Sequence, residues 1–190
     1  MLNLVFFGKP GAGKGTQAAI IKEKFNLVHL STGDLFRYNM KNDTPLGQLA
    51  KSYIDAGNLV PDQVTIDMLE DAVLKNKDAK GFIFDGFPRT DAQAEALDEL
   101  MKRLQMKIDA TIALEADDDI LVERLLNRGL TSGRSDDQDE SKIRNRFDEY
   151  TAKTAPLRSF YTEQSKFHEI QGVGSVDEIT SRILTVIESL

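Results

Sequence analysis

The segment Gly8-Lys9-Pro10-Gly11-Ala12-Gly13-Lys14-Gly15-Thr16 has the residue types and spacing of a phosphate-binding loop: Gly8, four residues, then Gly13-Lys14. Glycines let backbone N–H groups turn inward and approach phosphate oxygens without a Cβ in the way. The helix that follows adds about half a positive charge at its N-terminus, and Lys14 adds a full, mobile one. One position departs from the common motif. Gly15 stands where Ser or Thr is usual and the hydroxyl moves to Thr16, so direct Mg²⁺ ligation from the loop is not expected. Asp85 closes the short apolar run Gly81–Phe84, where an acid of the Walker-B type holds Mg²⁺. It is expected to act through coordinated waters, because Mg²⁺ keeps several of them. The loop by itself fits a GTPase switch, an ATPase motor or a phosphotransferase.

The elements that must position these groups alternate along the chain. Leu2–Phe7, Leu27–Leu30, Gly81–Phe84, Ala110–Leu114 and Phe167–Ile170 read as short strands. Helical patterning falls at Thr16–Phe25, Asp34–Met40, Leu46–Ala56, Thr65–Leu74, Ala92–Leu104, Asp118–Arg128 and Val176–Leu190. A long helical segment, Ser141–Ser165, is expected to kink or restart near Pro156, and Gly129–Glu140 reads as a polar interruption. Strands separated by helices predict an α/β fold with a parallel sheet and helices on both faces. Ligands bind such a sheet beyond the carboxyl ends of its strands.

Composition sets the outer limits. The chain has 190 residues, 41% hydrophobic and 29% charged, which suits a single globular core rather than a disordered chain. Its net charge of -7, from 31 acidic against 24 basic residues, makes a nucleic-acid partner unexpected, although a few converging arginines can still hold a small polyanion. Cysteine is absent, so disulfides and thiolate metal sites are excluded. The two histidines, His29 and His168, read as structural strand residues. No apolar stretch approaches the roughly 20 residues of a membrane span. A cytoplasmic, monomeric protein without membrane contact is the expectation.

Five ordered blocks give the chain a family likeness. After the phosphate loop come Ser31-Thr32-Gly33-Asp34 with Arg37, and Asp85-Gly86-Phe87-Pro88-Arg89-Thr90 with Gln93. Then follow Glu123-Arg124-Leu125-Leu126-Asn127-Arg128, and Thr131-Ser132-Gly133-Arg134-Ser135-Asp136-Asp137 with Arg144 and Arg146. Together they resemble the nucleoside monophosphate kinases, the adenylate kinases in particular, over essentially the whole chain. The resemblance implies a P-loop fold with a five-stranded parallel sheet, a monophosphate-binding flap at 31–60 and a short lid at 129–138, both inserted in the core. It implies reversible transfer from Mg·ATP to AMP giving two ADP, serving adenine nucleotide homeostasis.

The same resemblance distributes the roles. ATP falls to Gly11, Ala12, Gly13, Lys14, Gly15 and Thr16, to Arg124 and Arg128, and to Gly174 in the Gly172-Val173-Gly174 loop. AMP falls to Thr32, Arg37 and Arg89, to Asn58, Leu59 and Val60, to the turn Gly86-Phe87-Pro88 with its cis peptide, and to Gln93. Arg134 and Arg146 serve partly the acceptor and, with Lys14, Arg89, Arg124 and Arg128, the moving phosphoryl group. The chemistry suits the residue types, since planar guanidinium groups grip phosphate oxygens in pairs and a Gln amide answers both donor and acceptor on adenine. Asp34 reads as a helix cap, while Asp136 and Asp137 are left open between site and lid surface.

Two features separate close alternatives. Pyrimidine monophosphate kinases of the same fold tend to have Ala where Thr32 stands, so the hydroxyl favours AMP over UMP or CMP. A nucleotide-binding switch would need one site only, whereas Arg37, Arg89 and Gln93 supply a second. The lid is the abbreviated form, and without cysteine it carries no zinc. The spacing from Arg134 is one residue longer than usual, and counting back from Tyr150 favours Arg146 over Arg144.

Overall fold

In the computed structural model, which describes residues 1–190, the strand β1 (Leu2–Phe7) is buried on both faces and lies at the centre of the sheet. Its side chains alternate in the way the strand period dictates: Leu4 and Phe6 enter one core, Val5 and Phe7 the other. The sheet has the order β2-β3-β1-β4-β5, with β2 at Val28–Ser31, β3 at Gly81–Asp85, β4 at Ala110–Glu115 and β5 at Phe167–Gln171. Every pairing is parallel. The lone polar residue inside β1 is satisfied: Asn3 donates from Nδ2 to Lys107 O at 2.8 Å and accepts from Phe82 N at 3.1 Å.

Helices cover both faces. On one side lie α1 (Lys14–Phe25), α6 (Asp118–Ser132), α7 (Glu140–Glu149) and α9 (Val176–Ile187), packed through Ile21, Leu125, Ile143 and Ile183. On the other lie α4 (Asp62–Lys75), α5 (Asp91–Arg103) and α8 (Leu157–Glu163), packed through Leu69, Leu97 and Leu157. The remaining helices, α2 (Thr32–Lys41) and α3 (Pro45–Ile54), form a flap with its own small core of Phe36, Ala50 and Val60. Gly47 allows these two helices to cross closely, because a Cβ there would sit 2.2 Å from Asn39 O. Thr44 caps α3 by accepting from Gly47 N at 3.0 Å, with Pro45 at its first turn.

Two helices differ from the sequence expectation. The polar interruption begins later than Gly129, because α6 continues to Ser132 and ends at Gly133 in the left-handed region, φ 67°. A glycine inside a helix costs about 1 kcal/mol against alanine, which argues locally for ending the helix there. Tertiary packing overrides it: a Cβ on Gly129 would lie 2.6 Å from Asp137 O, so only glycine lets that backbone approach. The second difference lies in Ser141–Ser165. The α-helix gives way at Tyr150, ahead of Pro156, to a π turn over Tyr150–Thr154, in which Ala155 N donates to Tyr150 O at 2.8 Å. A regular helix then restarts at Leu157, directly after Pro156, where the sequence places the restart.

All the carboxyl ends of the strands point to one edge. There β1 runs into the glycine loop, β2 into the flap, β3 into Asp85 and the Gly86–Pro88 turn, and β5 into the loop that ends at Gly174. That edge holds the site.

Candidate active site

The glycine loop wraps the N-terminus of α1. Gly8, Gly11 and Gly13 all take positive φ, 136°, 85° and 96°, and no side chain caps the helix, so its first N–H groups are free for an anion. Gly13 has open space where a Cβ would be, so backbone conformation, not crowding, requires glycine there. The Lys14 ammonium folds back beneath the loop, donating to Gly8 O at 2.7 Å and Lys9 O at 3.1 Å. Burial lowers its pKa to about 8; nearby Asp85 opposes this, and the charges of Arg89, Arg146 and Arg128 add to it.

Asp85 lies at the floor of the same cleft and is nearly buried. Burial alone would raise its carboxyl. The hydrogen bond with His29 and the charges of Lys14 and Arg89 outweigh it and hold Asp85 below the usual carboxylate value. A Cβ at Gly15 would lie 4.0 Å from Asp85 Oδ2, so the loop residue facing the acid offers it no oxygen. No cluster of three or more acidic or histidine side chains exists that could cage a metal. One ionised carboxylate facing a phosphate loop fits Mg²⁺ carried in by a nucleotide, which relies on phosphate oxygens and water for its other ligands.

The cleft, about 800 Å³, is lined by the loop from Gly11 to Thr16, by Arg37, Leu59, Gly86, Pro88, Arg89, Arg124, Arg128, Arg134 and Arg146, and by Gly174. A smaller cavity of about 80 Å³ opens between the flap and β3, walled by Thr32, Arg37, Asn58, Leu59, Val60, Gly86, Arg89, Gln93 and Arg146. The sequence-selected residues for donor and acceptor are therefore brought to adjoining spaces. Phe87 is the exception: its side chain is 1% exposed within the core, so only its backbone is on offer at the cis Phe87-Pro88 turn.

The arginines are held in place, not loose. Arg89 donates from Nε to Gly86 O at 2.8 Å; burial, then the charge of Arg146, lowers its pKa to about 10. Arg124 bonds Gly172 O from both terminal nitrogens at 3.2 Å, tying α6 to the loop before Gly174. Arg128 forms a two-pronged pair with Asp137, at 2.7 and 3.0 Å, and Arg146 reaches the same carboxylate at 2.8 Å and Asp136 at 3.0 Å. Burial would raise Asp137, yet the hydrogen bond and charge of Arg128, with Arg146 behind them, hold it low. Arg144 is exposed and pairs with Glu140 within its own helix at 2.6 Å, outside the cleft, so Arg146 is the arginine that faces it.

Sequence reasoning underrates several residues. Asp137, open between site and lid surface on sequence grounds, is fully buried between two site arginines. Asp34 is not a cap: Ser31 caps α2, and Asp34 pairs with Arg37 at 2.6 Å and lies 3.7 Å from Arg134. His29, read as structural, lines the cleft with Nε2 3.3 Å from Asp85 Oδ2. Thr154 donates to Arg89 O at 3.0 Å from the π turn, and Asp62 accepts from Gln93; neither was singled out. The only sequence signals were an acidic pair beside an arginine and a histidine at a strand end, and both motifs are common on surfaces.

Comparison with known proteins agrees with this geometry. A family model described as adenylate kinase matches residues 6–166. The chain is 63% identical to an adenylate kinase of Flavobacterium psychrophilum over 190 residues, covering the whole of both chains. It is 59% identical to that of Flavobacterium johnsoniae, again over the whole of both chains. With an adenylate kinase of Leptospira biflexa it shares 50% over 187 residues, 98% of this chain and 100% of the relative. With an arginine-lined cleft over the phosphate loop, a smaller cavity adjoining it and relatives this similar along their full length, the chain belongs to the adenylate kinase family.

Proposed function

We propose that this chain transfers a phosphoryl group reversibly between Mg·ATP and AMP, giving two ADP, and so balances adenine nucleotides. The observation that carries the proposal is the convergence of Lys14 with Arg37, Arg89, Arg124, Arg128, Arg134 and Arg146 on the walls of one cleft. Such a cluster is costly unless a polyanion arrives, and two nucleotides facing each other supply one.

In this reading ATP places its phosphates on the free N–H groups of the glycine loop, with Lys14 on the terminal ones. Arg124, Arg128 and Gly174 line the rest of the donor side. AMP enters the smaller cavity, its phosphate held by Arg37 and Arg89 and its base by Gln93, Thr32 and the backbone at 58–60. Asp85 would hold Mg²⁺ through water, and the ion would supply charge neutralisation to the donor's phosphates. No side chain acts as a nucleophile. Arg128, Arg134 and Arg146 stabilise the charge that spreads over the moving group, and positioning provides the rest.

The flap at 31–60 and the lid at 129–138 are proposed to close over the two nucleotides and exclude water, which protects ATP from hydrolysis. The chain is proposed to be a cytoplasmic monomer without zinc; no helix is long and apolar enough to cross a membrane. A coupled assay of the purified chain with ATP and AMP, UMP, CMP or GMP tests the function. AMP should be the preferred acceptor. Equal use of UMP or CMP would replace this reading with a pyrimidine kinase, and ATP hydrolysis without acceptor use would replace it with a switch.

A further inference from the structure

Gln93 is 2% exposed and walls the acceptor cavity, and both ends of its side-chain amide are already engaged by protein. Its Oε1 accepts from Arg89 N at 2.8 Å, and its Nε2 donates to Asp62 Oδ1 at 2.8 Å. The two partners have fixed polarity. A backbone N–H only donates and an ionised carboxylate only accepts, so the direction of the amide is decided by chemistry. One lone pair and one N–H remain, in an order that cannot reverse.

That order matters for the base. A 6-aminopurine presents a ring-nitrogen acceptor beside an amino donor, whereas a 6-oxopurine presents a ring N–H donor beside a carbonyl acceptor. The second pattern is the first with donor and acceptor exchanged. An unrestrained glutamine would serve either by turning its amide over. Here the turn would set the Gln93 NH₂ against the Arg89 N–H and its oxygen against the Asp62 carboxylate, leaving buried groups without partners.

We infer that Asp62 is a specificity-determining positioning residue: it locks the Gln93 amide so that the acceptor cavity takes 6-aminopurine monophosphates and rejects 6-oxopurine ones. The inference rests on the acceptor-site reading proposed above. Asp62 has the means for this role. It begins α4 directly after Pro61, on a different element from Gln93 in α5, so the lock joins two helices that wall one cavity. Asparagine in its place keeps the shape but can also donate, so it removes the Asp62 restraint and leaves the Arg89 N–H as the one group that still opposes the turn.

The test measures kcat and KM with ATP for AMP and for inosine monophosphate, in the native chain and in Asp62→Asn, Asp62→Ser and Gln93→Leu. The native chain should prefer AMP by about a hundredfold or more, and either Asp62 variant should lower that ratio about tenfold, chiefly by improving inosine monophosphate. A merely structural role would lower both substrates together. A ratio that falls less than about threefold in a folded Asp62 variant overturns the lock, as does a native ratio below about tenfold. Gln93→Leu separates the two readings. If it leaves AMP and the ratio unchanged, the acceptor site itself is misplaced, whatever Asp62 does. If it alters them while the Asp62 variants do not, only the lock fails. Amide proton exchange on the native chain carries no folding risk: one Gln93 side-chain proton should be protected in the absence of nucleotide, and rapid exchange of both would overturn the inference.

Discussion

Arg128 holds Asp137 with two hydrogen bonds, from Nε to Oδ2 at 2.7 Å and from Nη2 to Oδ1 at 3.0 Å, and the carboxylate between them and Arg146 is fully buried. Six arginines sharing one cleft should repel one another. Asp137, with Asp136 and Asp34, offsets part of that repulsion and fixes where the guanidinium groups point. The site is therefore organised by its acids as much as by its bases.

Asp137→Ala should accordingly damage both stability and turnover. Removing the shared partner leaves Arg128 without a carboxylate and Arg146 with Asp136 alone, at a cost of about 2 kcal/mol after allowance for their partial exposure. The midpoint of urea unfolding reads the first effect and kcat the second. A variant with the native midpoint and native kcat would show that the pair organises nothing.

Lys14→Met should fold normally and lose about 10²-fold or more in turnover, since a charge placed on the terminal phosphates acts mainly in the transition state. Single-turnover kinetics at saturating nucleotides measure the loss. Retention of more than about a third of native turnover would contradict the role assigned to the loop.

The depressed pKa of Lys14 sets a pH limit. As pH rises through about 8 the ammonium loses its proton and its grip on phosphate, so kcat/KM should fall across that value. Bound phosphates favour the charged form, so kcat should hold to higher pH. The stability effect has the opposite sign. The unfolded lysine titrates near the ordinary 10.5, so between about 8 and 10.5 the unfolded chain binds more protons and the Lys14 contribution to stability rises with pH. Parallel pH profiles of kcat/KM and of unfolding midpoint, in the native chain and in Lys14→Met, measure both. A flat kcat/KM between pH 7 and 9.5 would contradict the assignment.

Arg89→Ala should weaken AMP far more than ATP, because its guanidinium faces the smaller cavity and is anchored to Gly86 O. Titration of each nucleotide separately against the variant shows the difference. Equal weakening of both would exchange or merge the two sites.

A bisubstrate mimic, two adenosines joined by five phosphates, should slow hydrogen exchange in both 31–60 and 129–138, and each nucleotide alone mainly in its own segment. The flap already touches the lid through Ser135 Oγ to Asp55 at 2.7 Å and α7 through Asn145 Nδ2 to Ala56 O at 2.9 Å, so the backbone amides around these links are the ones expected to gain protection. Unchanged exchange in both segments at saturating mimic would remove closure from the mechanism.

Features that depend on neighbours along the chain are legible in the residues alone. The order of strands and helices follows from hydrophobic period, and the phosphate loop from glycine spacing between a buried strand and a helix. Asp85 follows from its place at the end of an apolar run, and five ordered blocks are enough to indicate the family. Pairings between distant segments arise only when the chain folds. That Arg146 and not Arg144 faces the cleft depends on the rotation of α7, which a one-residue shift in spacing leaves unsettled. That α6 runs through Gly129 depends on the Asp137 backbone lying against it, contrary to the local propensity of glycine. That Gln93 is a directed group depends on Asp62, 31 positions away. Local patterns record which face of an element is buried; the polarity of a hydrogen bond across a cavity arises only when two elements meet, and no period in the chain encodes it.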